Sequence, residues 1–258
     1  MATDSTSDIR IVLVEPSHPG NIGAVARAMM NMDLRQLVLV RPREFPHPEA
    51  TARAAGAEVV LASARVVDTL DAAIADCGFV AATTSRNRDQ NYRVLDVQEA
   101  AVRAVAESRR APVALLFGAE RTGLTNEHLE ASHVLLRIPA SRDYASLNLA
   151  MAVQLVSYEI FRARGADGAA GVTRELADAP LASPPQMQQL YGHLEQVLQE
   201  IDFKDRTKAG THLMSRIRRF LQRAELDLNE VNILRGILTA IQNRRRMAGA
   251  APVRKADS

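Results

Sequence analysis

Residues 138–153 (Ile-Pro-Ala-Ser-Arg-Asp-Tyr-Ala-Ser-Leu-Asn-Leu-Ala-Met-Ala-Val) gather hydroxyl, phenol, guanidinium and amide groups between two apolar stretches. The apolar run at 134–138 stops at Pro139, and Ser146-Leu147-Asn148 opens a long apolar helix. Loops held by rigid elements are where chemistry is usually placed. Two other segments share the design: Pro19-Gly20-Asn21-Ile22-Gly23-Ala24-Val25-Ala26-Arg27 and Gly118-Ala119-Glu120-Arg121-Thr122-Gly123. Each follows a strand-like run and sets glycine where a ligand or another backbone comes close. In the first, free N–H groups at a helix start attract anions, but the GxGxxG dinucleotide fingerprint is absent. Asn21 and Arg27 are ligand contacts, or else an N-cap and a surface arginine. In the second, Glu120 and Arg121 lie just past a buried strand, where open α/β sheets bind ligands, or else form a solvated pair in a turn. Thr83-Thr84-Ser85-Arg86-Asn87-Arg88 also follows a strand, and arginine forks there match phosphate.

The elements that must position these groups follow from apolar patterning. Strands are expected at 9–15, 36–41, 58–61, 79–83, 112–117 and 134–138. Helices are expected at 20–32, 48–56, 67–76, 96–108, 126–131 and 147–164. Nearly continuous Val/Leu/Ile strands alternating with helices indicate an α/β fold, a parallel sheet with helices on both faces. This domain spans 1–164. Residues 165–185, rich in Gly, Ala, Asp and Ser and containing Pro180, Pro184 and Pro185, read as a linker. A small α-helical extension follows at 186–248, with helices at 187–201, 211–224 and 228–247, the last capped by Asn229. Three such helices form only a small core, so they are expected to pack on the first domain or on another copy. Residues 249–258 read as a disordered tail.

Composition narrows the function classes. A single cysteine, Cys77, excludes an internal disulfide and a Cys-rich zinc site, and the six histidines form no HExxH pair, so no metal is expected. Tryptophan is absent and aromatics are 4%, which leaves few rings for stacking bases; nucleic-acid binding would lean on charge and shape. Residues 186–258 hold 13 basic and 8 acidic side chains, while the rest of the chain is slightly acidic. That asymmetry suggests a polyanionic partner met partly through the C-terminal part, or simply a solvated helical surface. The N-terminal residues lack the basic start and apolar core of a signal peptide, and no apolar run reaches membrane-span length, so a cytoplasmic protein is expected.

Taken together, PGNIGAVAR, FGAERTG and IPASRDYASLNLAMAV resemble the three motifs of the SPOUT class of RNA methyltransferases. Within that class the chain is most similar to the TrmH-type 2′-O-ribose methyltransferases and, among them, to the bacterial TrmJ family, from about residue 9 to residue 163. Asn229-Glu230-Val231-Asn232-Ile233-Leu234-Arg235-Gly236-Ile237-Leu238 resembles that family's C-terminal extension. The resemblance implies a trefoil knot at the end of the α/β domain, S-adenosylmethionine as cofactor, a homodimer, and tRNA as substrate. The reaction it implies is methylation of the ribose 2′-hydroxyl of nucleotide 32, cytidine or uridine, in the anticodon loop. It assigns the cofactor to Thr83, Thr84, Ser85, Gly118, Ile138, Ala145, Ser146 and Leu147, largely through their main-chain groups. It places Arg27 at the reacting ribose, offers Glu120, Tyr144, Ser146 and Asn148 as further active-site groups, and gives Arg86 and Arg88 to tRNA. A guanidinium, with a pKa above about 12, is a poor base, so Arg27 is expected to orient the hydroxyl and a neighbouring phosphate. The alternatives are the same chemistry at another tRNA position or on ribosomal RNA, or a non-catalytic RNA-binding relative.

Overall fold

Long runs of Val, Leu and Ile are buried on both faces of one sheet, which is why they are continuous rather than alternating. The computed structural model describes residues 8–85, 92–141, 143–166, 180–203 and 213–249. Its strands are β1 (Ile9–Val14), β2 (Gln36–Val40), β3 (Arg65–Val67), β4 (Phe79–Thr83), β5 (Val94–Asp96), β6 (Val113–Phe117) and β7 (Val134–Arg137). All pair in parallel, in the order β3-β2-β1-β6-β4-β7-β5. Strand β7 is thus inserted between β4 and β5, two strands already joined through residues 84–93.

Alternate residues face opposite layers. Ile9, Ile11 and Leu13 enter a core closed by α1 (Pro19–Asn31), α2 (Pro48–Ala54), α3 (Glu58–Ala62), α5 (Val97–Glu107) and α7 (Leu149–Ala166). Val12 and Val14 enter a second core closed by α4 (Leu70–Ile74) and α6 (Asn126–Glu130). The C-terminal helices α8 (Pro184–Glu200), α9 (Leu213–Ala224) and α10 (Leu228–Gly249) form a third cluster around Leu190, Tyr191, Val197, Leu221, Val231 and Leu238. No described helix is long and apolar enough to cross a membrane.

Four sequence expectations change. Residues 58–61, expected as a strand, lie in α3: the Glu58 carboxylate accepts from the Gly56 N–H, and four apolar residues in a row do not by themselves separate strand from helix. Residues 67–76, expected as one helix, begin as the end of β3 and become helical only at Leu70, where Thr69 caps the Ala72 N–H. The last helix is capped by Asp227 rather than Asn229: the Asp227 carboxylate accepts from Glu230 N–H at 2.8 Å, and Glu230 accepts from Asp227 N–H at 2.9 Å. Residues 180–183, read as linker, are tied down: Ala182 is fully buried and its N–H donates to Leu226 C=O at 2.8 Å. Of the tail expected at 249–258, Gly249 closes α10, and 250–258 lie outside the described residues.

The glycines of the first motif serve packing rather than a ligand. A Cβ on Gly23 would stand 2.0 Å from the Ala50 carbonyl oxygen, so only glycine lets α1 lie this close to α2. Gly20 faces the same helix, where a Cβ would meet the Glu49 carboxylate at 2.8 Å.

Candidate active site

The carboxyl ends of β4, β6 and β7 open onto a cavity of about 280 Å³. This is the edge at which parallel α/β sheets place ligands, because helix starts and loops converge there. Thr83, Thr84 and Ser85 line it from the end of β4, Gly118 from the loop after β6, Ile138 from the end of β7, and Ala145, Ser146 and Leu147 from the start of α7. All eight residues that the family resemblance assigns to the cofactor therefore line one cleft. Two are fixed by the sheet itself: Thr83 Oγ1 donates to Leu116 C=O at 2.8 Å, and the Thr84 N–H donates to Leu136 C=O at 3.0 Å. A Cβ on Gly118 would stand 2.2 Å from the Gly123 carbonyl carbon. The loop 118–123 accordingly folds back on itself, with Gly123 at φ +68°.

Glu120 lines the same cleft, and its carboxylate ties two motifs together. Oε2 accepts from Ser17 N–H at 2.9 Å and from Ser17 Oγ at 2.7 Å. Oε1 accepts from Asn21 Nδ2 at 2.8 Å and from His18 N–H at 3.3 Å. Asn21 Oδ1 in turn accepts from Asn148 Nδ2 at 3.2 Å, and Asn148 Oδ1 accepts from Ala150 N–H at 2.9 Å, capping α7. Burial pushes the Glu120 carboxyl upward, but the hydrogen bonds from Asn21 and Ser17 outweigh it and hold its pKa below the ordinary value. A carboxylate so engaged braces the starts of α1 and α7. Ser17 and His18 escape sequence reasoning because polar residues before Pro-Gly read as an ordinary loop; their partner lies a hundred residues away.

Arg27 is exposed and stands elsewhere. It borders a shallow groove of about 480 Å³ between α1 and α7, with Ala24, Asn31, Met151, Gln154 and Leu155. Leu147 lines both this groove and the cleft at the sheet edge. Tyr144 is 80% exposed and lines neither cavity. Arg86 and Arg88 lie outside the described residues. Among the described residues no cluster of three or more His, Cys, Asp or Glu could hold a metal.

Residues 8–158 match the SpoU rRNA methylase family, and residues 185–251 match the C-terminal domain of the tRNA methyltransferase TrmJ. The chain is 46% identical to the tRNA (cytidine/uridine-2′-O-)-methyltransferase TrmJ of Escherichia coli K12, over 91% of this chain and 95% of the relative. Among solved structures it superposes on TrmJ of Z. mobilis ZM4 with a TM-score of 0.74 and 33% identity, covering 90% of this chain and 98% of the other. A probable methylase family protein of Haemophilus influenzae gives a TM-score of 0.60 with 39% identity, over 94% and 99% of the two chains. The two family matches, lying in this order along one chain, show that it belongs to the SpoU methylase family and, within that family, to the TrmJ group.

Proposed function

We propose that this chain transfers a methyl group from S-adenosylmethionine to the ribose 2′-hydroxyl of nucleotide 32, cytidine or uridine, in the anticodon loop of tRNA. The observation that carries the reading is the convergence of Thr83–Ser85, Gly118, Ile138 and Ala145–Leu147 on one cleft. The TrmJ-like C-terminal helices favour tRNA over ribosomal RNA.

The cleft suits the cofactor. Phe117, Leu124, Leu136 and Ile138 offer an apolar wall for a purine, while Thr84, Ser85 and Ser146 offer hydroxyls for a ribose. The close approach of the 118 and 123 backbones leaves no room for a side chain on Gly118, so main-chain groups face the cavity there. S-adenosylmethionine, when bound, supplies a methyl activated by its sulfonium. The protein's part is then alignment and a route for the hydroxyl proton. Ser146 stands at the cleft, Asn148 and Glu120 hold the loops that frame it, and Arg27 orients the ribose hydroxyl and an adjacent phosphate.

Arg27 reaches a cleft in this reading through a second copy of the chain. Met151, Leu155 and Tyr158 are exposed along α7 beside the Arg27 groove, at 62%, 43% and 47%. An apolar stripe of this kind is what a homodimer covers. We further propose that the insertion of β7 between β4 and β5 reflects a chain threaded as a trefoil knot.

Methyl transfer from labelled S-adenosylmethionine to unmodified tRNA transcripts, with the product nucleoside located by mass spectrometry, tests the reading. A 2′-O-methylated pyrimidine at nucleotide 32 is the expected result. Methylation at another position or in ribosomal RNA would retain the chemistry and overturn the target. No transfer to any RNA would overturn both.

A further inference from the structure

We infer that the outward face of α9 is a tRNA contact in which Phe220 stacks on an unpaired base between two phosphate-binding arginines, Arg216 and Arg223; the inference rests on the reading of tRNA as the substrate. Residues 216, 220 and 223 are spaced i, i+4 and i+7, which puts them on one stripe of the helix. All three are exposed, Phe220 to 58%. The opposite stripe is what docks α9. Leu221 and Gln222 are buried, and the Gln222 amide donates to Ser132 C=O at 3.1 Å. Arg218 stands 3.5 Å from the Glu130 carboxylate, with its guanidinium 5.3 Å over the Tyr191 ring. Glu225, just past the helix end, accepts from Arg93 at 2.7 Å and from Arg103 at 2.5 Å. The helix is therefore held from one side, and the Arg–Phe–Arg stripe stands on a fixed support.

The charge of this face is not neutralised by its surroundings. α9 holds four arginines and no acidic residue. Arg218 has a carboxylate partner, but among the described residues Arg216, Arg219 and Arg223 form no ion pair and no side-chain hydrogen bond. Arg219 lies three residues after Arg216 and four before Arg223, and like charges at those spacings work against a helix. Phosphates laid along the stripe relieve that repulsion, and guanidinium forks match them. Charge alone suits any polyanion; the ring between the two guanidiniums narrows the choice. Aromatic stacking beside phosphate-holding cations is how proteins hold RNA loops and single strands. An unpaired base supplies the flat face that a sulfated or carboxylated chain lacks. The contact is separate from the reacting ribose. α9 docks on residues 130–132, which lead into the amino end of β7, whereas the cofactor cleft opens at the carboxyl end. Its loss therefore falls on tRNA binding rather than on the chemical step.

The chain contains no tryptophan, so Phe220→Trp in the full-length protein introduces a single indole at the stacking position. Unmodified tRNA transcript is expected to quench its fluorescence, and heparin, a polyanion without bases, to leave it nearly unchanged. Phe220→Ala is expected to raise the Kd for tRNA roughly tenfold without altering the salt dependence of binding, because stacking releases no counterions. Arg216→Gln and Arg223→Gln should each weaken binding and lower the slope of log Kd against log salt by about 0.7, one phosphate contact apiece. All three side chains are exposed, so melting temperatures should stay near wild type. Unquenched fluorescence at saturating tRNA, or a wild-type Kd in Phe220→Ala, would overturn the inference. Quenching by heparin as strong as that by tRNA would also overturn it and leave a general polyanion surface. Wild-type protein that binds tRNA without methylating nucleotide 32 would instead overturn the functional reading, and quenching would still decide the contact. No tRNA binding at all would overturn both.

Discussion

Replacing Glu120 by glutamine separates a brace from a base. The carboxylate accepts four hydrogen bonds, two on each oxygen. A glutamine keeps one oxygen and turns the other position into a donor. Placed toward Ser17, its NH₂ meets the Ser17 N–H head-on, although the Ser17 hydroxyl can rotate to accept. Placed toward Asn21, it meets the His18 N–H and the Asn21 amide, and an Asn21 flip would break the bond to Asn148. Either way about two charge-assisted bonds are lost. Such bonds contribute about 1.5–3 kcal/mol each when shielded, but Ser17 and His18 are exposed and water replaces part of the loss. About 1 kcal/mol per bond, or about 2 kcal/mol in all, is the resulting estimate, equivalent to roughly a thirtyfold loss of rate if all of it falls on the aligned state.

The pH dependence then distinguishes the roles. Hydrogen bonding holds the Glu120 pKa below its ordinary value despite burial. A depressed carboxylate contributes fully above its unfolded pKa, near 4.3, and loses that contribution as pH falls through the folded value. Glu120 therefore stays ionised throughout pH 6–9. Single-turnover methyl transfer to tRNA, measured across that range, should give a Glu120→Gln profile parallel to wild type and about thirtyfold lower. An undiminished rate would refute the brace. A variant that loses the wild-type pH dependence would also refute it and make Glu120 the proton acceptor.

Arg27→Ala should lower turnover by roughly a hundredfold or more, as loss of a group aimed at the reacting oxygen does, while calorimetric binding of S-adenosylmethionine stays near wild type; parallel loss of both would remove Arg27 from the substrate side. Gly23→Ala should destabilise the fold by about 2–3 kcal/mol in urea unfolding, because the new Cβ lands 2.0 Å from Ala50 C=O and α1 must lift off α2. Leu155→Glu places a charge on the exposed α7 face and should yield a monomer in sedimentation velocity with methyl transfer abolished; an active monomer would contradict a site shared between copies. Burial lowers the His133 pKa, and in its neutral form Nδ1 accepts from Val80 N–H while Nε2 donates to Ala182 C=O. The unfolded chain then takes up the proton first, so thermal stability should fall as pH drops below about 6.5, and His133→Gln should flatten that decline in a melting-temperature series.

Much of the scaffold is legible in the sequence because the central strands are buried twice over. Ile9, Ile11 and Leu13 enter one core and Val12 and Val14 the other, so the run has no polar breaks and signals a parallel sheet directly. The edge strands β3 and β5 give no such signal. Each has three residues and exposes a valine, Val66 or Val94, and a pair of apolar residues between an arginine and an aspartate is too short to match a strand template. The glycines illustrate another limit. A glycine marks a close approach without saying what approaches. At Gly23 the neighbour is the Ala50 carbonyl, and at Gly118 it is the chain's own loop at Gly123. The eight residues that the family resemblance assigns to the cofactor line one cleft, because they lie past the ends of β4, β6 and β7 or at the start of α7, and parallel strands deliver such ends to one edge. The position of Arg27 was not legible, because helical spacing fixes its face of α1 but not the cavity that face borders.

The three motifs are far apart in sequence yet act as one rigid frame. The Glu120 carboxylate holds the start of α1, and Asn21 passes the constraint to Asn148 and the start of α7. Each member has its hydrogen-bonding groups engaged by the others, so damage at any one should look much like damage at another, and double variants within the set should fall well short of additive.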